Sequence, residues 1–297
     1  MAAAMMVADF LDYLRRERNY SLKTVQSYGD DLVKFESYFT GLDTSLSWES
    51  VDSDVIRDWM ESMMDEGGSA SSICRRLSAL RSFYRFALSH GLVAHDPARG
   101  VSGPKRGKPL PKFVREDDME RLLDWRMWGR GLSDVRARTI ILLFYETGLR
   151  VSELVSLDDS MVDTVSMQLK VTGKRNKERM VPFGAEMLEA LEAYMRLRDE
   201  SVARMSPALF VTDKGLRMNV RQVQYLVAKH LSRVTTQNKR SPHVLRHTFA
   251  TAMLNHDAGI ESVKKLLGHE KLSTTEIYTH TTFEQLKKVY KSAHPRA

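Results

Sequence analysis

Through the first hundred residues, apolar positions recur at three- and four-residue spacing, so this part of the chain reads as helical throughout. Val25, Tyr28, Leu32, Phe35 and Phe39 share one side of a helix that Ser21 can cap. A helix over about 70–89 gathers Ile73, Leu77, Leu80, Tyr84 and Leu88 on its buried side. Its opposite side carries Arg75, Ser78, Ser82, Arg85 and Ser89. Later in the chain a strongly apolar helix over about 136–147 ends at Gly148, a helix C-cap. The period then changes. Met167, Leu169 and Val171 alternate, a Gly-Lys turn follows, and Met180–Phe183 resumes an extended pattern, which predicts a β-hairpin with Lys174 near its tip. Helices follow at about 184–199, 220–234, 242–254, 260–267 and 274–280, with a last one at about 282–290.

The seam between the two patterns is GPKRGKPLPKF, residues 103–113. Three prolines and two glycines rule out a helix or a central strand, so it is read as an extended linker. The expected organisation is a helical domain at 1–102, the linker at 103–113 and a second domain at 114–297. The fold class is α+β: a small helical domain, then a larger, mostly helical one with a minor sheet.

Composition narrows the function classes. No apolar run approaches the roughly 20 residues needed to span a bilayer, and the amino-terminal stretch makes a poor signal peptide. One cysteine, Cys74, excludes an intrachain disulfide, and its place within a helical pattern suits a buried structural thiol. A cytosolic, cytoplasmic protein is expected. The net charge of +7 is unevenly spread. Residues 1–70 carry six basic and fourteen acidic side chains, whereas residues 71–110 carry eight basic and one acidic. That contrast suits a face turned toward a polyanion, and a plain solvated surface reads equally well. Short serines between arginines on the 70–89 helix would let it approach a phosphate backbone closely. Arg75, Arg76, Ser78, Ser82 and Arg85, with Lys105, Arg106 and Lys108 of the linker, are therefore candidate DNA contacts.

Four motifs carry candidate chemistry. Ser241-Pro242 is a helix start that sets His243 and Arg246 on one face of the first turns, beside free N–H groups and the positive end of the helix dipole. This suits an anion. The rival is a metal pair, since His243 and His247 have i,i+4 spacing, but Arg246 beside them would repel a cation. Arg150, in TGLRVSEL, falls at a junction between apolar helices, where an arginine needs a partner; Glu153 one turn on makes a structural ion pair an equal reading. Lys174, taken alone, is a solvated loop lysine. Ser273 and Glu276 have capping-box spacing, which puts Tyr278 near the front of a short helix, where a packing role is the ordinary one.

Taken together, Arg150, Lys174, His243, Arg246, His269 and Tyr278, in the motifs TGLRVSEL, TGKRNKERMVP, HVLRHTFAT, LLGH and IYTH, resemble the tyrosine recombinase and integrase family. The resemblance covers about 111–297 and reaches the first half through its helical pattern and Asp96-Pro97-Ala98. Within the family the chain is similar to the Xer branch, by length and by its His294-Pro295-Arg296-Ala297 terminus. The resemblance implies a SAM-like core-binding domain and a catalytic domain that clamp duplex DNA as a C. It implies cleavage by Tyr278 to a 3′-phosphotyrosine, with Arg150 and Arg246 on the phosphate. His243 would be the base, Lys174 the acid, His269 a further phosphate donor and Glu153 a support. No cofactor and no metal are needed, because the transesterification conserves bond energy. The implied partners are paired double-stranded DNA sites, a homo- or heterotetramer with a second recombinase, and a septal DNA translocase; the helix at about 282–290 would dock on a neighbouring protomer, where the residues alone allow it to fold back in cis as a minor core element. The expected role is chromosome dimer resolution. The alternatives are a phage or mobile-element integrase, a type IB-like topoisomerase and a non-enzymatic DNA-binding factor.

Overall fold

In the N-terminal unit, residues 1–109, α1 (Ala2–Arg16) places Met6, Phe10 and Leu14 one turn apart, and all three are buried. The computed structural model describes residues 2–105, 107, 112–173, 177–268 and 283–296. Ser21 stands in extended backbone and accepts from Thr24 N–H at 3.2 Å, which starts α2 (Leu22–Leu42). Asp52 caps α3 (Ser53–Asp65) and Ser69 caps α4 (Ala70–Ser89) in the same way. The predicted stripe on α2 is confirmed: Leu32, Phe35 and Phe39 are buried and Val25 and Tyr28 pack against them. Trp48 fills the centre, its ring 4.5 Å from Phe83 and 5.3 Å from Phe39, and the Tyr84 hydroxyl donates to its carbonyl.

Two expectations are corrected here. Leu88 is 42% exposed, because the buried stripe of α4 steps from Tyr84 to Ala87 at its last turn. Cys74 is half-buried, and its Sγ lies 3.5 Å from the Pro104 carbonyl rather than deep in the core.

In the second unit, residues 110–297, α5 (Glu116–Leu123) precedes the central helix α6 (Leu132–Thr147), which is buried on every side from Thr139 onward. It packs between α8 and α10, defined below. Gly148 ends α6 at φ +60°, and a Cβ there would meet Phe249 Cδ1 at 2.5 Å and Leu267 Cδ2 at 2.7 Å. Both the left-handed turn and the close packing require glycine. After α7 (Val151–Ser156), β1 (Val162–Asp163), β2 (Gln168–Thr172) and β3 (Glu178–Pro182) form an antiparallel sheet in that order. Leu169 pairs with Val181 and both are buried, as alternation predicts, while Lys170 faces outward in an ion pair with Glu178. The two-residue β1 is too short to show any period.

Four helices follow as expected: α8 (Ala185–Ser201), α9 (Val220–Leu231), α10 (Pro242–Asn255) and α11 (Ile260–Leu267). The final helix, α12 (Phe283–Ala293), lies against α10 and α11 of its own unit, burying Tyr290 and Ala293 in a cluster with Phe249, Met253 and Val263. The helix expected at 274–280, with its Ser273–Glu276 capping box, falls outside the described residues.

A buried carboxyl joins α12 to the end of α6. Glu146 is fully buried; its Oε2 accepts from Gly184 N–H at 2.8 Å and from the Tyr290 hydroxyl at 3.0 Å. Its Oε1 has no partner among the described residues. Burial pushes the Glu146 carboxyl from its ordinary 4.5 up to about 7, against the lowering by these two donors. A carboxyl raised in the folded state contributes stability that is complete below its unfolded value and is lost as pH rises through the folded one. Glu146→Gln keeps an acceptor for both donors and removes the ionisation. Relative to wild type it is expected to gain a few kcal/mol between pH 4.5 and 8. Urea unfolding of both proteins at pH 5 and pH 8 measures the difference. An equal offset at both values would mean that the carboxyl stays ionised throughout. The comparison with wild type cancels His294, which burial holds down to about 4 and which trends the opposite way with pH.

Candidate active site

Three guanidinium groups converge on the C-terminal end of α11. A helix leaves its last carbonyls without partners, at the negative end of its dipole. Here three successive carbonyls are taken: Arg179 Nε donates to Leu266 at 3.2 Å, Arg246 Nη2 to Leu267 at 2.7 Å, and Arg150 Nη2 to Gly268 at 3.1 Å. Gly268 itself turns at φ +66°. Each arginine arrives on a different element. Arg150 stands at the N-cap of α7, Arg179 on β3, and Arg246 in the second turn of α10.

One carboxylate answers these three cations. Arg150 Nη1 donates to Glu153 Oε1 and its backbone N–H to Oε2, both at 2.8 Å. Arg179 Nη1 donates to Oε1 at 2.8 Å and Nη2 to Oε2 at 3.0 Å. Burial raises the Glu153 pKa, but the hydrogen bonds from Arg179 and from the Arg150 backbone outweigh it and hold the carboxyl below its usual range. Glu153 is thus ionised, and the structural ion pair weighed for Arg150 exists. It does not exhaust the charge. Arg246 is buried without a carboxylate of its own, its Nη1 donating to the Gly148 carbonyl at 2.6 Å. Burial, then repulsion from Arg150, draws its pKa down to about 10, which leaves it cationic at neutral pH. Three guanidiniums around one carboxylate make a site that a phosphate would neutralise. The Arg150 side chain keeps 38% of its surface open, against 3% for Glu153 behind it, so the charge faces outward.

His243 is exposed on the first turn of α10, and its Nε2 lies 3.0 Å from Nε2 of His247. A proton shared between two ring nitrogens leaves one of them bare as an acceptor. Burial, then Arg246, lowers the His247 pKa, which favours its neutral form. Among the described residues no third His, Cys, Asp or Glu joins the pair to make a metal site. Ser241 has N-cap backbone geometry, but its hydroxyl takes no bond from the first turn, contrary to the capping expected. The structure therefore brings Arg150, Glu153 and Arg246 together and places His243 three residues from Arg246 on α10. Lys174, His269 and Tyr278 lie outside the described residues. Sequence reasoning missed Arg179 and gave His247 no role beyond the metal alternative. Arg179 sits inside the quoted KERMVP segment, but an arginine on a strand edge carries no signal of burial.

The predicted basic face of α4 is partly neutralised from within. Arg75 makes a two-pronged ion pair with the buried Asp31 and also donates to Ser27 Oγ at 2.6 Å, though 44% of its side chain stays exposed. Arg76 Nε approaches the same Asp31 at 3.8 Å. Ser78 bonds back to the Cys74 carbonyl, and Ser82 is half-buried. Arg85 is exposed and unpaired among the described residues, in a groove of about 620 Å³ shared with Arg81, Leu88, Asp96 and Arg99. Lys105 is exposed, whereas Arg106 and Lys108 lie outside the described residues.

Comparison with known proteins agrees over the whole chain. Residues 112–285 match the phage integrase family, and residues 7–91 match the phage integrase N-terminal SAM-like domain. The tyrosine recombinase XerC of Pelotomaculum thermopropionicum is 39% identical over 301 residues, covering 98% of each chain. That of Azotobacter vinelandii is 40% identical over 290 residues, covering 97% of this chain and 95% of the relative. Among solved structures, the XerH site-specific recombinase bound to a palindromic difH substrate, in a post-cleavage complex, superimposes with a TM-score of 0.73 at 21% identity, covering 95% of this chain and 83% of that one. At that identity the likeness concerns the fold.

Proposed function

The chain belongs to the phage integrase family and is a site-specific tyrosine recombinase, and we propose on that premise that it cuts and rejoins double-stranded DNA through Tyr278. The observation that supports this best is the excess of positive charge where Arg150, Arg179 and Arg246 meet at the end of α11 beside the single carboxylate of Glu153. Preorganised cationic donors of this kind stabilise the charge that develops on a phosphorus under attack.

The residues take the following roles. Tyr278 Oη attacks the phosphorus in line; the P–Oη bond forms and the bond to the 5′-oxygen breaks, leaving a 3′-phosphotyrosine and a 5′-hydroxyl. Arg150 and Arg246 hold the non-bridging oxygens, with His269 as a further donor. His243 receives the tyrosine proton and Lys174 delivers one to the departing 5′-oxygen. One phosphoester bond is exchanged for another, so the chemistry uses no external energy source. The basic linker 103–113 runs along the DNA backbone, with Arg75, Arg76, Ser78, Ser82, Arg85, Lys105, Arg106 and Lys108 as phosphate contacts. The biological role is Xer-type resolution of chromosome dimers in the cytoplasm, by a tetramer that includes a second recombinase or further copies of this chain, under a septal DNA translocase. In the working tetramer α12 leaves α10 and α11 of its own unit, against which it packs in this structure, and docks on a neighbouring protomer. Among the described residues no helix is long and apolar enough to cross a membrane.

A supercoiled plasmid carrying two copies of the selected target site tests the reading. Recombinant circles are expected. Relaxation without recombinants would mean a topoisomerase, and binding without any covalent protein–DNA adduct would mean a non-enzymatic factor. The acid has its own test. Lys174→Ala is expected to cleave ordinary DNA roughly 100-fold more slowly, within the range for general acid catalysis. On DNA with sulfur at the 5′-bridging position it should cleave nearly as well as wild type, because a thiolate leaves without a proton. Equal slowing on both substrates would make Lys174 a binding residue.

A further inference from the structure

Arg179 lies on β3, yet its guanidinium reaches two other segments. It covers both oxygens of Glu153, at 2.8 and 3.0 Å, and its Nε donates to the Leu266 carbonyl at the end of α11. Gly268 makes room for it: a Cβ there would come within 3.2 Å of Arg179 Nε. The carboxylate of Glu153 receives four hydrogen bonds, two from Arg150 and two from Arg179. That fills the lone pairs a carboxylate offers. Arg150 therefore spends only one of its guanidinium nitrogens on Glu153 and a second on Gly268.

We propose that Arg179 is a positioning residue for DNA strand cleavage: by sharing Glu153 it keeps Arg150 turned toward the phosphate, and by capping Leu266 it fixes the end of α11. This rests on the recombinase reading above. Without Arg179 the buried carboxylate loses half its donors. Among the described residues Arg150 is then the remaining cation that reaches it, and a bidentate fork on Glu153 becomes the best geometry for Arg150. The donors it would turn inward are the ones a phosphate needs. Lysine is a poor substitute, because a point charge cannot bridge both carboxylate oxygens and the Leu266 carbonyl together.

The full-length chain and three variants, Arg179→Ala, Arg179→Lys and the double variant Arg179→Ala with Glu153→Gln, are compared on a duplex nicked beside the cleavage position. Adduct formation is followed in a single turnover at saturating protein. Duplex affinity of each variant should stay within about threefold of wild type, since the loss lies in the chemical step. Arg179→Ala should form adduct about 100-fold more slowly, the cost of an ångström-scale misplacement, and Arg179→Lys about tenfold more slowly. The double variant separates positioning from mere structural support. A neutral glutamine no longer draws Arg150 inward, so the double variant should cleave faster than Arg179→Ala. A double variant as slow as Arg179→Ala, or slower, overturns the proposal. So does Arg179→Lys at the wild-type rate, a result that stands even where Arg179→Ala fails to fold. Absence of adduct with the wild-type chain would instead strike the recombinase reading itself.

Discussion

Replacing Tyr278 with phenylalanine is expected to leave duplex binding unchanged and to abolish every covalent protein–DNA product. The substitution removes one oxygen and nothing else, so any effect reports on that oxygen. An ordinary tyrosine hydroxyl ionises near pH 10, and at neutral pH it attacks only with a base at hand and with cations on the phosphate. In the proposed mechanism His243 on α10 is that base, and Arg246 on α10 and Arg150 at the start of α7 are those cations. A nicked duplex, which lets the short strand diffuse away after cleavage, traps the adduct so that denaturing gels detect even slow turnover. Peptide mapping of the wild-type adduct should place the nucleotide on Tyr278. An adduct that persists in Tyr278→Phe, or that maps to another residue, removes the assignment.

The next largest effect is expected at Arg246. Arg246→Ala should slow cleavage by about 10²- to 10³-fold, or roughly 3–4 kcal/mol, as the loss of a preorganised transition-state donor does. Duplex affinity should fall by no more than about tenfold, because a single phosphate contact supplies little of the total electrostatic binding. Two effects compete in the folded protein. Removing the guanidinium leaves the Gly148 and Leu267 carbonyls without a donor, which destabilises. It also relieves the repulsion from Arg150 that helps draw the Arg246 pKa down. Thermal unfolding of the variant separates a folding defect from a catalytic one. Cleavage and affinity that fall in parallel would make Arg246 an ordinary phosphate anchor.

Much of the fold can be read one element at a time. The stripe Leu32, Phe35, Phe39 on α2, the alternation of Leu169 and Val171 on β2, and the glycine stop after α6 each follow from a local period or a local backbone demand. The order Arg150, Lys174, His243, Arg246, His269, Tyr278 is likewise a linear property, and it is what made the family legible. Local periods fail where an element ends or is too short: Leu88 at the last turn of α4, and the two residues of β1.

What only the tertiary structure decided is how buried charge is shared. Arg179 and Arg150 are 29 positions apart in the chain and meet on one carboxylate, while Arg246 reaches the same helix end from α10. Asp31 takes up Arg75, which the α4 pattern had offered as a candidate DNA contact. Glu146 looks in sequence like one more polar residue before a glycine, yet it is fully buried beneath Tyr290 of α12. The reason is physical. A helix or strand period is set by the backbone and is therefore written locally, whereas the electrostatic energy of a side chain depends on which distant groups surround it once water has been excluded.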